Sequence, residues 1–117
     1  MKLEVGMYVK TKNGYICKII NINDYREPNM KYGIEANYLK DVMFIGDDDV
    51  VKASYNIIDL IEKNDYINGS WVNEIVDGKP IHKDYNDPFY SFGWENDDIK
   101  SVITHEQMEQ MAYKVGE

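Results

Sequence analysis

Three dipeptides constrain this chain more than anything else in it: Asn13-Gly14, Asn68-Gly69 and Asp77-Gly78. Asn-Gly and Asp-Gly readily enter the left-handed backbone region that tight hairpins need, and each pair here stands between alternating apolar segments. Met7–Lys10 precedes the first turn and the longer apolar run Tyr15–Ile22 follows it. Asp65–Ile67 and Ser70–Val76 flank the second, and Lys79–His82 follows the third. A two-residue period over so much of the chain predicts antiparallel sheets. The ten tyrosines agree, because aromatic rings pack well on a pleated surface. Pro80 cannot donate to a ladder, so the strand carrying it is expected at an edge.

Further strands are expected near Ile34–Tyr38, Asp41–Ile45 and Val50–Lys52. Asn56 can cap one helical turn before the chain returns to strand at Leu60–Glu62. Residues 83–98 lack periodicity and contain Pro88 and Gly93, which reads as a long excursion. Ile99–Ile103 reads as a strand. Thr104 and Gln107 form a capping box ahead of a short helix, with Met108, Met111, Ala112 and Val115 on one face. Residues 112–115 could instead close the sheet as a strand.

The first two hairpins resemble each other: Glu4, Tyr8 and Val9 recur as Glu62, Tyr66 and Ile67, and Gly6 is matched by Asn64, which also tolerates positive φ. The fold expected is therefore mainly β, a β-rich α+β chain. Two small SH3-like antiparallel barrels or half-barrels, residues 1–53 and 54–117, pack into one compact unit with a short C-terminal helix.

The net charge of −8 is unevenly placed. Residues 1–53 hold eight Lys/Arg and eight Asp/Glu, whereas residues 54–117 hold five against thirteen. Such a field repels phosphate backbones and attracts a basic protein surface, although acidity also serves solubility. No direct nucleic-acid partner is expected. Met1-Lys2-Leu3-Glu4 leads into alternating sequence without a secretory apolar region, and no run approaches a membrane span, so a cytosolic protein is expected. The single cysteine, Cys17, lies in an apolar run and reads as a small buried hydrophobe.

Catalytic motifs are missing from the sequence. His82 and His105 have no cysteine or second histidine at ligand spacing and read as a surface residue and a first-turn helix residue. Asp47-Asp48-Asp49 is a run rather than the alternation of a calcium loop, and Glu95, Asp97 and Asp98 follow no ligand pattern. No catalytic residue, metal or cofactor is expected. The aromatic excursion is the strongest local signal, with five rings among acidic residues. Those rings either cap a core or dock a partner, since interface hot spots favour Trp and Tyr inside a polar rim. The candidate binding set is Tyr85, Phe89, Tyr90, Phe92, Trp94, Glu95, Asp97 and Asp98, with Trp94, Tyr90 and Phe89 as anchors.

Val5–Thr11 with Asn13–Ile19 resembles a KOW/SH3-type opening strand pair. Together with Asn56–Glu62, Asp65–Gly69 and Ile99–Gln107 it is similar to small phage and prophage accessory proteins of Gram-positive bacteria, which more often carry glycine where Asn64 stands. The resemblance implies a non-enzymatic phage protein acting in the host bacterial cytoplasm. That class includes anti-CRISPR proteins and other inhibitors of bacterial defence, and the partner would be a host defence protein with a basic surface. Two alternatives remain open: a sponge that sequesters a nucleotide signal between subunits, and a structural or replication adaptor of the phage. A homo-oligomer is compatible with each.

Overall fold

The structure, a computed structural model, describes residues 2–24, 27–35, 43–84, 86–87, 89–112 and 115–116. The chain divides into two units, Met1–Leu60 and Ile61–Glu117. The boundary falls later than the expected residue 53 because the 3-10 turn Ile57–Leu60, opened by the bond from Asp59 N to Asn56 O (3.0 Å), lies against the strands of the first unit. Leu60 therefore ends a turn, and Leu60–Glu62 is not the strand expected there.

In the first unit, β1 (Tyr8–Thr11), β2 (Ile16–Ile22), β3 (Tyr32–Glu35), β4 (Met43–Ile45) and β5 (Val50–Ser54) form one antiparallel sheet in the order β4-β3-β2-β1-β5. Four strands meander and the fifth returns beside the first; among the described residues the sheet stays open and forms no closed barrel. The expected strands around residues 34–45 appear as β3 and β4, and Ala36–Val42 lie outside the described residues. The first hairpin is a three-residue turn in which only Gly14 is left-handed (φ 89°), closed by Gly14 N to Thr11 O at 2.9 Å. Alternation then directs Val9, Cys17, Ile19, Tyr32, Ile34 and Ile45 into one core with Leu3.

The second unit contains β6 (Tyr66–Ile67), β7 (Ser70–Trp71), β8 (Glu74–Val76), β9 (Lys79–Lys83), β10 (Ser91–Gly93), β11 (Val102–Ile103) and α1 (His105–Met111). Two three-stranded sheets result, ordered β11-β6-β7 and β10-β9-β8. One stretch of chain serves both: Val72 N donates to Asp65 O at 2.8 Å, and the next amide, Asn73 N, donates to Ile81 O at 3.2 Å. With β7 and β8 taken as one bent strand, β11-β6-β7/β8-β9-β10 repeats the order β5-β1-β2-β3-β4. Asn68-Gly69 (φ 52° and 84°) and Asp77-Gly78 (φ 51° and 78°) are the two-residue turns that the sequence predicts.

The repetition extends to individual hydrogen bonds. Gly6 (φ 95°) donates its N–H to Ile19 O at 2.9 Å, and Asn64 (φ 79°) donates to Val72 O at 2.7 Å. Met7 N reaches Glu4 O at 3.2 Å, and Asp65 N reaches Glu62 O at 3.1 Å. Ahead of the last strand of each unit stands an acidic 3-10 turn, Asp47–Asp49 or Asn96–Asp98. The third residue of each folds back: the Asp49 carboxylate accepts from Gly46 N at 2.9 Å, and that of Asp98 from Glu95 N at 3.0 Å.

Three expectations need correction. Pro80 lies in β9, the middle strand of its sheet. It sits at the end of the β9–β10 ladder, where its carbonyl accepts from Trp94 N at 3.2 Å and no donor is called on. Residues 83–98 are not one loop, because they contain β10 and the second acidic turn. Helix α1 begins as its capping box requires, with Gln107 N donating to Thr104 Oγ1 at 3.2 Å and Thr104 N to Gln107 Oε1 at 3.0 Å. It ends at Met111, however, and leaves Met108 and Met111 39% and 68% exposed.

Burial fixes the state of the lone thiol. Cys17 is buried in the first core, and burial pushes its pKa up from 9.0 to about 12. An unfolded chain would lose this proton from about pH 9 upward while the native chain keeps it, so the native state binds more protons and stability falls as pH rises. The expected slope from this group is about 1.4 kcal/mol per pH unit between those limits. Urea midpoints measured from neutral to alkaline pH should fall less steeply in Cys17→Ala than in the parent; identical slopes would contradict the burial argument.

Candidate functional site

The link between β9 and β10 is built by its own aspartates. Asp84 N donates to Tyr90 O at 3.1 Å and Tyr90 N to Asp87 O at 2.9 Å, which closes the loop. Asp84 Oδ1 accepts from Asn86 N at 2.9 Å, and Asp87 Oδ1 accepts from Phe89 N at 3.1 Å. Short acidic side chains form such local turns readily, and these pin the backbone on both sides of the tip.

The pinned backbone carries a graded row of rings. Trp94 is 6% exposed, Phe92 half-buried, Tyr90 51% exposed and Phe89 96% exposed. Phe92 meets Trp94 edge-on at 4.9 Å and Tyr90 edge-on at 5.8 Å, with the His82 ring tilted against it at 5.2 Å. Edge-on pairs of this kind fix ring orientation as well as distance. The rings of the excursion thus differ in burial. Trp94, expected as an anchor, is a core residue: it precedes the second acidic turn as buried Ile45 precedes the first. Among the described rings of the excursion, the exposed ones are Phe89 and Tyr90. Tyr85 lies outside the described residues.

Of the carboxylates assigned to the same surface, those of Glu95 and Asp98 have structural partners. Glu95 forms an exposed ion pair with Lys79 at 2.5 Å, of the kind that adds about 1 kcal/mol or less. Asp98 caps its own turn, and the exposed Asp97 lends its carbonyl to Lys100 Nζ at 3.0 Å. Asn68 ties this stretch to the second hairpin: Oδ1 accepts from Lys100 N (2.8 Å) and Ser101 N (3.0 Å), and Nδ2 donates to Asp98 O (2.9 Å). These bonds leave the negative charge in place. Residues 61–117 contain five lysines and twelve carboxylates, a balance of −7.

A second polar centre escaped the sequence reading. Asp65 is fully buried; its Oδ2 accepts from Glu62 N at 2.7 Å and its Oδ1 accepts from His105 N at 2.9 Å. The same Oδ1 lies 2.7 Å from His105 Nδ1, and His105 Nε2 lies 3.0 Å from a Glu106 oxygen. His105 is the first helical residue, as expected, but it is also the hub of this group. In the first unit the corresponding amide, Glu4 N, meets the Met7 sulfur at 3.3 Å. Aligning the hairpins places Asp65 opposite Met7, and a carboxylate where its counterpart is a thioether was the available signal.

Elsewhere the acidic run 47–49 serves structure, with Asp47 accepting from Tyr32 OH at 2.6 Å. A cavity of about 420 Å³ in the first unit is bordered by Lys2 and Lys31, but also by Asp24 and Asp47, and Lys31 stands 3.7 Å from Asp24. Two lysines offset by two carboxylates give it little pull on a phosphate. Among the described residues, no helix is long and apolar enough to cross a membrane. No protein-family model, curated protein or solved structure matches the chain.

Proposed function

We propose that the chain is a non-enzymatic binding protein that docks the β9–β10 tip, led by Phe89 and Tyr90, onto a basic protein surface. The observation that carries this reading is Phe89, 96% exposed on a backbone held by Asp87. Placing a large apolar ring in water forgoes burial worth about 1.5–3 kcal/mol, and a partner that covers it recovers that energy. The bonds from Asp84 and Asp87 shape the backbone at Asn86 and Phe89 in advance, which reduces the conformational freedom lost on binding. The surplus of carboxylates in residues 61–117 steers the encounter towards positive charge.

The setting proposed is that of a phage accessory protein acting inside a bacterial host. The partner is a bacterial defence factor whose basic groove serves nucleic acid, and occupation of that groove by the acidic tip inhibits it. Affinity capture from bacteria carrying such defence complexes, followed by mass spectrometry, tests this. A defence protein with a basic groove is expected at low salt and should be lost at high salt, because screening weakens the attraction. Recovery of phage replication or tail proteins alone would favour an adaptor. Tight calorimetric binding of a cyclic nucleotide would favour the sponge.

A further inference from the structure

The geometry points to a divalent transition-metal site in the second unit, formed by Glu62, His105 and Glu106, with Asp65 orienting the histidine from behind. One ligand atom from each of the three residues lies within 4.8 Å of the others. A metal ion with bonds of about 2.1 Å holds its ligands about 3–4 Å apart, so a change in glutamate torsions closes the set. Glu62 and His105 are far apart in sequence. The turn carrying Glu62 and the start of α1 meet because Asp65 bonds to a backbone amide of each.

The buried carboxylate behind the ring, together with the ligand spacing, carries the argument. The buried Asp65 carboxylate accepts from Nδ1–H at 2.7 Å, which leaves the lone pair of a neutral ring on Nε2. Nε2 stands 3.0 Å from a Glu106 oxygen. Two lone pairs at that separation repel unless a proton or a cation lies between them. A buried carboxylate behind a metal-binding imidazole is the usual outer-shell partner, fixing the ring and raising its basicity. The chemical class follows from the donors: one imidazole and two carboxylates suit Zn²⁺, Fe²⁺ or Mn²⁺ better than Ca²⁺ or Mg²⁺, which favour oxygen alone. Three protein ligands leave at least one position for water or for a donor from another molecule. In the first unit, Met7 replaces the orienting carboxylate and Asn56 follows β5 where His105 follows β11 by two residues, so the site belongs to the second unit only.

Calorimetric titration of the full chain with ZnCl₂ tests the site. One-to-one binding is expected, with affinity reduced about 100-fold or more in Glu62→Gln and in His105→Ala. Because His105→Ala could loosen the fold around Asp65, a mutation-free measurement accompanies it: ¹⁵N spectra of the unaltered chain should show the His105 Nε2 resonance shift on adding Zn²⁺. An absence of one-to-one binding, an unshifted His105 ring, or unchanged affinity in Glu62→Gln overturns the site.

Discussion

Asp65→Ala is expected to destabilise the second unit by about 3 kcal/mol or more. Its carboxylate is fully buried and accepts from Glu62 N, His105 N and His105 Nδ1. Alanine leaves all three donors without that acceptor at the point where the turn before β6 meets the start of α1. A fall in the urea midpoint of that size checks this. The cost should also be shared: Asp65→Ala combined with His105→Ala should cost less than the two single changes added together, because each already removes the same ring contact. Additive costs, or a loss for Asp65→Ala below about 1 kcal/mol, would mean that the network does not hold the unit together.

Phe89→Ala combined with Tyr90→Ala should have the opposite profile. Phe89 contacts solvent almost entirely and Tyr90 is half-exposed with one edge on Phe92, so stability should change by only about 0.5 kcal/mol. Binding to the captured partner should weaken about 100-fold, the loss expected when two central aromatic anchors are truncated. Asp97→Asn, a change at the exposed rim, should slow association a few-fold and leave dissociation nearly unchanged. Asp87→Asn is a poorer probe, since Asp87 shapes the loop through Phe89 N as well as carrying charge.

Hairpins, turns and the capping box were legible in the sequence because each depends on neighbours: Asn68-Gly69 and Asp77-Gly78 dictate left-handed backbone, and Thr104 finds Gln107 three residues on. The likeness of Gly6 to Asn64 was legible for the same reason, and it led to the matched units. What could not be read depends on distant partners. Nothing near Trp94 distinguishes a ring that fills Ile45's place from one that faces solvent, and Phe89 and Trp94 are equally aromatic. Pro80 is not placed by sequence alone because an edge and a ladder end equally tolerate its missing donor. The Asp65–His105 centre joins residues forty positions apart, so no local window contains it. The aromatic segment is therefore legible in the sequence, while which of its rings are exposed depends on the fold.

The most direct test uses a phage restricted by the captured defence complex, plated on hosts that express equal amounts of the chain or of its Phe89→Ala, Tyr90→Ala form. Plating should recover with the unaltered chain and remain restricted with the double variant. Equal recovery with both would contradict inhibition through the exposed aromatic tip.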